Sequence, residues 1–280
     1  SYAITYLDVA DGLASNYVSS IISDYRGIKW LATEGGLNTY DGKSFKTYTP
    51  RTVGDGLLSE NVELLCPSHD GQFWLATKNG GISKYDPKLD QFTNYNDALG
   101  ALMDVNFWAV ALAEDKHGRL WIGTRRHGLL VLDPKKNEVV MRRHPQTNVR
   151  GVVSDQYGNI WYGDAKQVVY YNTAEDNFVN FPTSRNINRL VEDTLGKRIW
   201  LSVGRQLAYL DLTTHKMHEL ESIEQIPERF NIESLNVDRY GRLWIGTWGG
   251  GLFGRKVSGP TEASPISRTH DGPRTHSPPP

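Results

Sequence analysis

The chain has 280 residues, of which 39% are hydrophobic and 22% are charged, and its formal net charge is -1. This apolar content suffices for a sizeable core and excludes a chain that is disordered throughout. The near-zero net charge gives no global basic field for nucleic acid, and no apolar run approaches the roughly 18 residues that span a bilayer. Cys66 is the only cysteine, which excludes an internal disulfide and a multi-cysteine zinc site.

A sequence repeat runs through most of the chain. Each copy has a turn of the form Asp-x-x-Gly, then a tryptophan, then a small residue two positions later. A threonine usually comes next, and a glycine with a second apolar stretch follows it. In the second copy Ser68 replaces the aspartate. The six repeat tryptophans are Trp30, Trp74, Trp121, Trp161, Trp200 and Trp244.

Each copy reads as four short strands. In the first copy, residues 18–23 precede the turn, residues 28–33 carry the tryptophan, and residues 36–40 and 45–48 complete the unit. Apolar runs of strand length between Gly, Asp and Asn turns predict antiparallel hairpins. Four strands in a repeat of the length that separates consecutive repeat tryptophans are typical of a β-propeller blade. Six copies therefore predict an all-β, six-bladed propeller, with a seven-bladed ring or an incomplete array as the alternative.

The two ends of the repeat array predict how the domain is bounded. The sixth copy lacks a fourth strand, and residues 2–9 align with the fourth strand of the first copy. We therefore expect the N-terminal strand to close the last blade, which would protect its exposed edge. The propeller domain is predicted over residues 1–256. Residues 257–280 are rich in Pro, Ser, Thr and His, which predicts a disordered tail.

The repeated features favour structure over direct function. A tryptophan that recurs at one position in every blade is expected to pack between sheets rather than to bind sugar. The Asp-x-x-Gly turns resemble half of a calcium loop, but they lack its further acidic ligands, so we expect ordinary turns and no metal site. Functional residues should instead lie on loops at one end of the blades.

With this repeat in view, a family resemblance can be stated. Residues 115–129 and 238–252, and the connector Gly12-Leu13-Ala14-Ser15-Asn16, resemble the two-component-regulator propeller repeat. The resemblance covers roughly residues 1–256. Such repeats build the periplasmic sensor regions of hybrid two-component systems, which detect oligosaccharides, and their propellers commonly have seven blades. The resemblance implies a periplasmic, non-enzymatic sensing module without a cofactor, whose partners are an oligosaccharide and either downstream receptor domains or a second propeller.

Two other functions compete with this interpretation. The streptogramin lyases share the Asp-x-x-Gly-x-x-Trp core, but such an enzyme needs a histidine and a carboxylate that converge with a metal ion. Only His127 lies at a suitable position for that role. The second competitor is an interaction scaffold that docks a second propeller or protomer and binds no small ligand.

The expected ligand-binding residues lie on the turns between second and third strands and on the connectors between blades. These loops share one end of each blade, where they would line the mouth of a central channel. Trp108 and Trp248 are the only tryptophans outside the repeat position, and an aromatic face there suits a sugar ring. The alternative is that they plug the channel or contact another domain. The predicted ligand-binding set is Tyr17, Lys78, Trp108, Arg125, Arg126, His127, Arg205 and Trp248.

The charges on these loops suggest what the ligand carries. On these turns the cationic residues outnumber the two carboxylates, Glu34 and Asp164. Arginine is suited to binding a carboxylate or a sulfate group. An anionic oligosaccharide is therefore one possible partner, and ordinary solvated turns are the alternative. The predicted basic surface consists of Lys78, Arg125, Arg126, Lys166 and Arg205.

Overall fold

Six separate antiparallel sheets form in the computed structural model, and together they give the chain the predicted six-bladed β-propeller fold. No helix in the described part of the chain has the length and apolar character that crossing a bilayer requires. The structure describes residues 5–50, 57–104, 107–164, 166–183, 186–203, 206–220, 231–258, 262–263 and 267–268.

In each of the first five blades, four strands lie side by side in chain order. Blade 1 contains β1 (Val18–Ser23), β2 (Lys29–Thr33), β3 (Gly36–Tyr40) and β4 (Phe45–Tyr48). Blade 2 contains β5 (Val62–Pro67), β6 (Phe73–Thr77), β7 (Gly81–Asp86) and β8 (Gln91–Asn94). Blade 3 contains β9 (Ala109–Glu114), β10 (Leu120–Thr124), β11 (Leu129–Asp133) and β12 (Glu138–Arg143).

The last three blades follow the same order. Blade 4 contains β13 (Val152–Ser154), β14 (Ile160–Asp164), β15 (Gln167–Asn172) and β16 (Asn177–Pro182). Blade 5 contains β17 (Arg189–Asp193), β18 (Arg198–Val203), β19 (Gln206–Asp211) and β20 (Met217–Glu219). Blade 6 contains β21 (Ile232–Val237), β22 (Arg242–Thr247) and β23 (Gly251–Ser258), and β23 pairs with the two-residue strands β24 (Glu262–Ala263) and β25 (Ser267–Arg268).

The sixth blade uses the chain beyond residue 256, where the sequence predicts a disordered tail. Strand β23 extends to Ser258, and residues 262–263 and 267–268 pair with it. The other residues of the tail lie outside the described residues, and for them the prediction stays untested.

Within the described residues 5–9, the N-terminal segment does not form the strand predicted over residues 2–9. Residues 5–8 have no regular structure, and Val9–Asp11 form a 3-10 helix. Asp8 caps this helix: its Oδ1 accepts from Ala10 N at 2.7 Å, while its own N–H donates to Asp11 Oδ2 at 2.9 Å. These bonds turn the backbone away from an extended strand. Residues 1–4 lie outside the described residues.

The chain divides into two compact units. The first unit consists of residues 1–160 and 172–177, with blades 1 to 3 and part of blade 4. The second unit consists of residues 161–171 and 178–280, with the rest of blade 4 and blades 5 and 6. A single domain over residues 1–256 stays a prediction.

In each of the two units, repeat tryptophans pack against the following blade. In the first unit, Trp30 lies in one cluster with Phe73 and Tyr85 of blade 2, with ring centroids 5.0 and 4.8 Å from its own. In the second unit, Trp200 packs with Leu243 of blade 6. Five of the six are at most 4% exposed, while Trp244 is half-buried. The predicted core role is confirmed for the five: Trp30, Trp74, Trp121, Trp161 and Trp200.

The Asp-x-x-Gly turns are part of the same core. Asp115 Oδ1 accepts from the backbone N–H groups of His117 and Arg119, and its Oδ2 accepts the indole N–H of Trp121 at 2.9 Å. The same bond between indole and turn aspartate recurs in blades 1, 5 and 6. The turn carboxylate is thus used to hold the tryptophan, as expected of a structural turn.

In blades 3 and 4 the small residue after the tryptophan leaves room for the next connector. A Cβ atom on Gly123 would collide with the backbone carbonyl oxygen of Val149, which leads into blade 4. In the second unit, a Cβ atom on Gly163 would lie 2.7 Å from the Ile187 side chain. Neighbouring blades therefore approach closely at this position, and a larger side chain would force them apart.

Candidate functional site

The hairpin turns between the second and third strands are closed by the repeated threonine. The hydroxyls of Thr33, Thr124 and Thr247 each donate to the carbonyl oxygen of a glycine at the start of the third strand or directly before it, at 2.7 to 2.9 Å. The residue after the threonine is thereby held at the tip of the blade. We call this end of each blade the tip end, and the end with the Asp-x-x-Gly turns the turn end.

In blades 2 and 3 the tip is bonded to the connector that leads into its own blade. Lys78 N donates to Asn61 O at 2.9 Å in blade 2, and Arg125 N donates to Trp108 O at 2.9 Å in blade 3. Asn61 and Trp108 occupy equivalent positions of the repeat, seven residues before the turn. The repeat geometry thus brings Arg125 and Trp108 together, which sequence spacing alone did not reveal.

Trp108 is the centre of a charged cluster in the first unit. Its ring is half-buried, with the Arg125 guanidinium carbon 4.6 Å and Lys78 Nζ 5.3 Å from its ring centroid. Both distances fall within the range of a cation–π interaction. Three of the predicted ligand-binding residues, from two blades and a connector, therefore converge.

Glu63 completes this cluster and was missed from the sequence. Its Oε2 accepts the indole N–H of Trp108 at 2.5 Å, which fixes the edge of the ring. Glu63 lies at a β-bulge, because Val62 pairs with Thr77 and Leu64 with Ala76 while Glu63 has no partner in the register. Its one sequence signal is a carboxylate inside the otherwise apolar run of β5.

The surroundings of Glu63 affect its protonation. Burial raises the pKa of its carboxyl group, although the Trp108 N–H and the Lys78 charge act in the opposite direction. The negative charge of Glu34, at the tip of blade 1, adds to the increase in this pKa. Glu34 follows Thr33 at the tip of blade 1, the same position that Lys78 and Arg125 hold at the tips of blades 2 and 3. We define the Trp108 cluster as Glu34, Glu63, Lys78, Trp108 and Arg125.

His127 lies beside the cluster but faces the connector. Its Nε2 is 3.2 Å from Asp104 Oδ1, and its ring stacks on Phe107 with centroids 6.2 Å apart. This connector contains α1 (Asn96–Leu99) and a 3-10 helix (Gly100–Leu102), which the sequence analysis did not predict. His127 is therefore engaged with the connector side chains.

The structure also describes the exposure of the other predicted residues, blade by blade. Arg126 is exposed, and the Tyr17 side chain is 47% exposed in blade 1. In the second unit, Trp248 is 71% exposed at the tip of blade 6, and Lys166 is exposed at the tip of blade 4. Arg205 lies outside the described residues. Their part in ligand binding stays a prediction.

The described residues offer little for metal or thiol chemistry. Within them, no group of three or more His, Cys, Asp and Glu side chains is placed to hold a metal ion. Cys66 is buried, and burial raises the pKa of its thiol to about 12. A thiol in that state is a poor nucleophile, because the reactive species is the thiolate.

The chain is a β-propeller with a polar cluster at the tips of blades 2 and 3. Comparison of its sequence with family models identifies the type of propeller repeat. The model of the two-component regulator propeller family matches residues 101–126 and 226–249. These segments include Trp121 and Trp244 with their turns. The predicted two-component-regulator propeller repeat is therefore present in this chain. No curated protein sequence matches the chain significantly.

Among solved structures, the extracellular domain of BT4673 from B. thetaiotaomicron, described as a hybrid two component system, is similar at a TM-score of 0.70 and 20% identity. The match covers 92% of this chain and 33% of that one, so this chain spans about one third of the BT4673 domain. At this identity, the likeness establishes the fold.

Two further structures share the fold at lower identity. Virginiamycin B lyase from Staphylococcus aureus has a TM-score of 0.66 at 11% identity, with 84% of this chain and 78% of the lyase covered. PorZ, a surface component of the type-IX secretion system of Porphyromonas gingivalis, has a TM-score of 0.62 at 16% identity. That match covers 84% of this chain and 38% of PorZ. Propellers of this shape thus serve in enzymes and in surface assemblies, so function has to be argued from the site.

Proposed function

We propose that this chain is an extracytoplasmic ligand-sensing module of a two-component regulator, located in the periplasm, and that it binds an oligosaccharide at the Trp108 cluster. The two-component regulator propeller repeats support the sensor role. The similar BT4673 structure is an extracellular domain of a hybrid two component system, which supports the location. The observation that carries the proposed site is the convergence of Lys78, Trp108 and Arg125.

The cluster has the parts that saccharide recognition uses. Aromatic side chains offer an apolar surface to a sugar ring, and cationic side chains donate charge-assisted hydrogen bonds to its oxygens. Because Glu63 holds the indole edge, the ring is positioned before a ligand arrives. Such preorganisation lowers the conformational entropy lost on binding.

Binding there would act on the junction between two blades. Lys78 and Glu63 belong to blade 2, whereas Arg125 belongs to blade 3 and is bonded to Trp108 in the connector. A ligand that contacts both cations therefore changes the packing between blades 2 and 3. The proposed output is a changed contact with downstream receptor domains or with a second propeller, and the module itself carries out no reaction.

The experiment is a screen of the purified chain against a panel of oligosaccharides, followed by calorimetric titration of each ligand found. Trp108→Ala should weaken binding by about tenfold or more, the loss expected when a stacked and charge-bearing contact is removed. Tyr157→Ala is the matched control, because Tyr157 is an aromatic residue that is 70% exposed at the turn end of blade 4.

Two results would contradict the proposal. If no oligosaccharide binds, the scaffold that docks another protein becomes the better account. If an oligosaccharide binds equally well to Trp108→Ala and to wild type, the sensor role stands but the site lies elsewhere, with Trp248 as the next residue to replace.

A further inference from the structure

The Trp108 cluster contains charged groups of both signs, two cations and two carboxylates. The cations of Lys78 and Arg125 lie near the ring. The carboxylate of Glu63 lies at the Nε1 edge, and Glu34 acts on Glu63 electrostatically. The sequence predicts a basic surface, but around Trp108 two carboxylates oppose two cations.

These opposite charges do not cancel by direct pairing. Among the described residues, no ion pair joins Lys78 or Arg125 to Glu63 or Glu34. Lys78, Arg125 and Glu34 are exposed, so a ligand can reach their charged groups. The cluster therefore presents separate positive and negative partners to a bound molecule.

This arrangement discriminates among ligands by their charge. A purely anionic sugar is attracted by Lys78 and Arg125 but repelled by Glu34 and Glu63. An aminosugar whose only charge is an ammonium group is attracted by the two carboxylates but repelled by the two cations. A ligand with one group of each sign finds a complementary partner for both, and complementary charges at a binding surface mainly determine specificity.

We propose that the Trp108 cluster recognises a saccharide that carries both a free amino group and a carboxylate. The carboxylate contacts Lys78 and Arg125, since a guanidinium can hold a carboxylate by two parallel hydrogen bonds. The ammonium group contacts Glu34 and Glu63. This inference rests on the proposed function, because it specifies the ligand of the same site.

Four disaccharides of one size and linkage test the proposal by calorimetric titration of the full chain. They are glucuronic acid–glucosamine, which carries both charges, glucuronic acid–N-acetylglucosamine, glucose–glucosamine and glucose–N-acetylglucosamine. A slightly acidic buffer keeps the free amino group protonated. The doubly charged sugar should bind about fivefold more tightly than either singly charged one, since an exposed charge pair contributes up to about that factor.

A variant of Glu34 gives the sharper result. Glu34→Gln should weaken the binding of the doubly charged sugar by about threefold, because the Glu34 charge attracts its ammonium group. The same substitution should strengthen the binding of the N-acetylated anionic sugar, because the Glu34 charge repels its carboxylate. Glu138→Gln is the control, since Glu138 is an exposed carboxylate at the start of β12, at the turn end of blade 3. It should leave both affinities unchanged.

The outcomes separate this inference from the proposed function. If the doubly charged sugar binds no more tightly than the others, or if Glu34→Gln changes both charged ligands in the same direction, the inference is wrong. Loss of binding of any panel saccharide in Trp108→Ala would then still support the proposed site. If none of the four disaccharides binds, the inference is overturned, and the wider oligosaccharide panel decides the proposed function.

Discussion

The indole N–H of Trp74 in blade 2 donates to Glu114 of blade 3, with Trp74 Nε1 2.5 Å from Glu114 Oε2. In blades 1, 3, 5 and 6 the corresponding indole bonds to the aspartate of its own Asp-x-x-Gly turn. Blade 2 has Ser68 at that position, so its turn has no carboxylate where the other blades use one to bond the indole. The neighbouring blade supplies the missing acceptor. Glu114 also bonds to the backbone and the ring of His69 in blade 2, so this one carboxylate joins the two blades by several hydrogen bonds.

Replacement of Glu114 should therefore destabilise the protein. Glu114→Ala leaves the buried Trp74 N–H without its acceptor and also removes the acceptor of the His69 backbone N–H. A buried donor left without a partner costs about 1–3 kcal/mol. Denaturant unfolding followed by fluorescence should show this loss, and Glu138→Ala, an exposed carboxylate in the same blade, should show almost none.

A second substitution tests the origin of this bond. Ser68→Asp, introduced into Glu114→Ala, restores the turn aspartate of the other blades and should recover part of the lost free energy of unfolding. If Ser68→Asp recovers none of the lost free energy of unfolding, the Glu114 carboxylate does not serve in place of the turn aspartate of the other blades.

Most of the fold was predictable because each blade repeats the same local bonds. The strands predicted for blade 1 agree with the observed ones within one residue at each end. Turn carboxylate, tryptophan and threonine each bond within a few residues along the chain, so their spacing is visible in the sequence. The strand predicted at the N-terminus was wrong over residues 5–9, because the capping bonds of Asp8 compete with an extended backbone.

The site was predictable only in part. Trp108, Lys78 and Arg125 stand out because they break the repeat or carry charge at its tips. Glu63 does not, because a β-bulge on β5 displaces it from its register, and bulges depend on pairing between strands. The position of His127 was equally hidden, since it depends on a helical connector that has no counterpart in the repeat.

Stability should depend on acidic pH through Glu114. Burial raises the pKa of this carboxyl group, but hydrogen bonds from the His69 backbone, Ser68, Trp74 and the His69 ring outweigh it, and the pKa falls below its usual value of 4.5. A carboxyl group with a lowered pKa in the folded state stabilises the fold above the unfolded pKa and loses that contribution as pH falls through the folded pKa.

The free energy of unfolding of wild type should therefore exceed that of Glu114→Gln by a constant amount at neutral pH. The difference should shrink as the pH falls below about 4.5. Urea titrations at a series of pH values measure it. A difference that stays constant down to the most acidic pH would show that the Glu114 charge does not contribute.

The two kinds of tryptophan should respond differently to truncation. Trp121→Ala removes a fully buried ring and should cost about 3–5 kcal/mol, as large-to-small core substitutions do. Trp248→Ala should cost far less, because the Trp248 side chain is 71% exposed. Thermal and denaturant unfolding of both variants test this. Comparable losses at the two positions would mean that Trp248 packs against part of the protein after all.

The central claim, that the Trp108 cluster binds an oligosaccharide, is tested most directly by the indole N–H signals of the eight tryptophans in an NMR titration. Trp108→Phe assigns the Trp108 signal, and Trp121, in the core of blade 3, serves as the internal reference. Because the Trp108 N–H donates to Glu63 beside Lys78 and Arg125, a bound saccharide should shift this signal most, with the signal of Trp121 nearly unchanged. A saturable shift confined to Trp248 or to the repeat tryptophans, with Trp108 unaffected, would contradict the account.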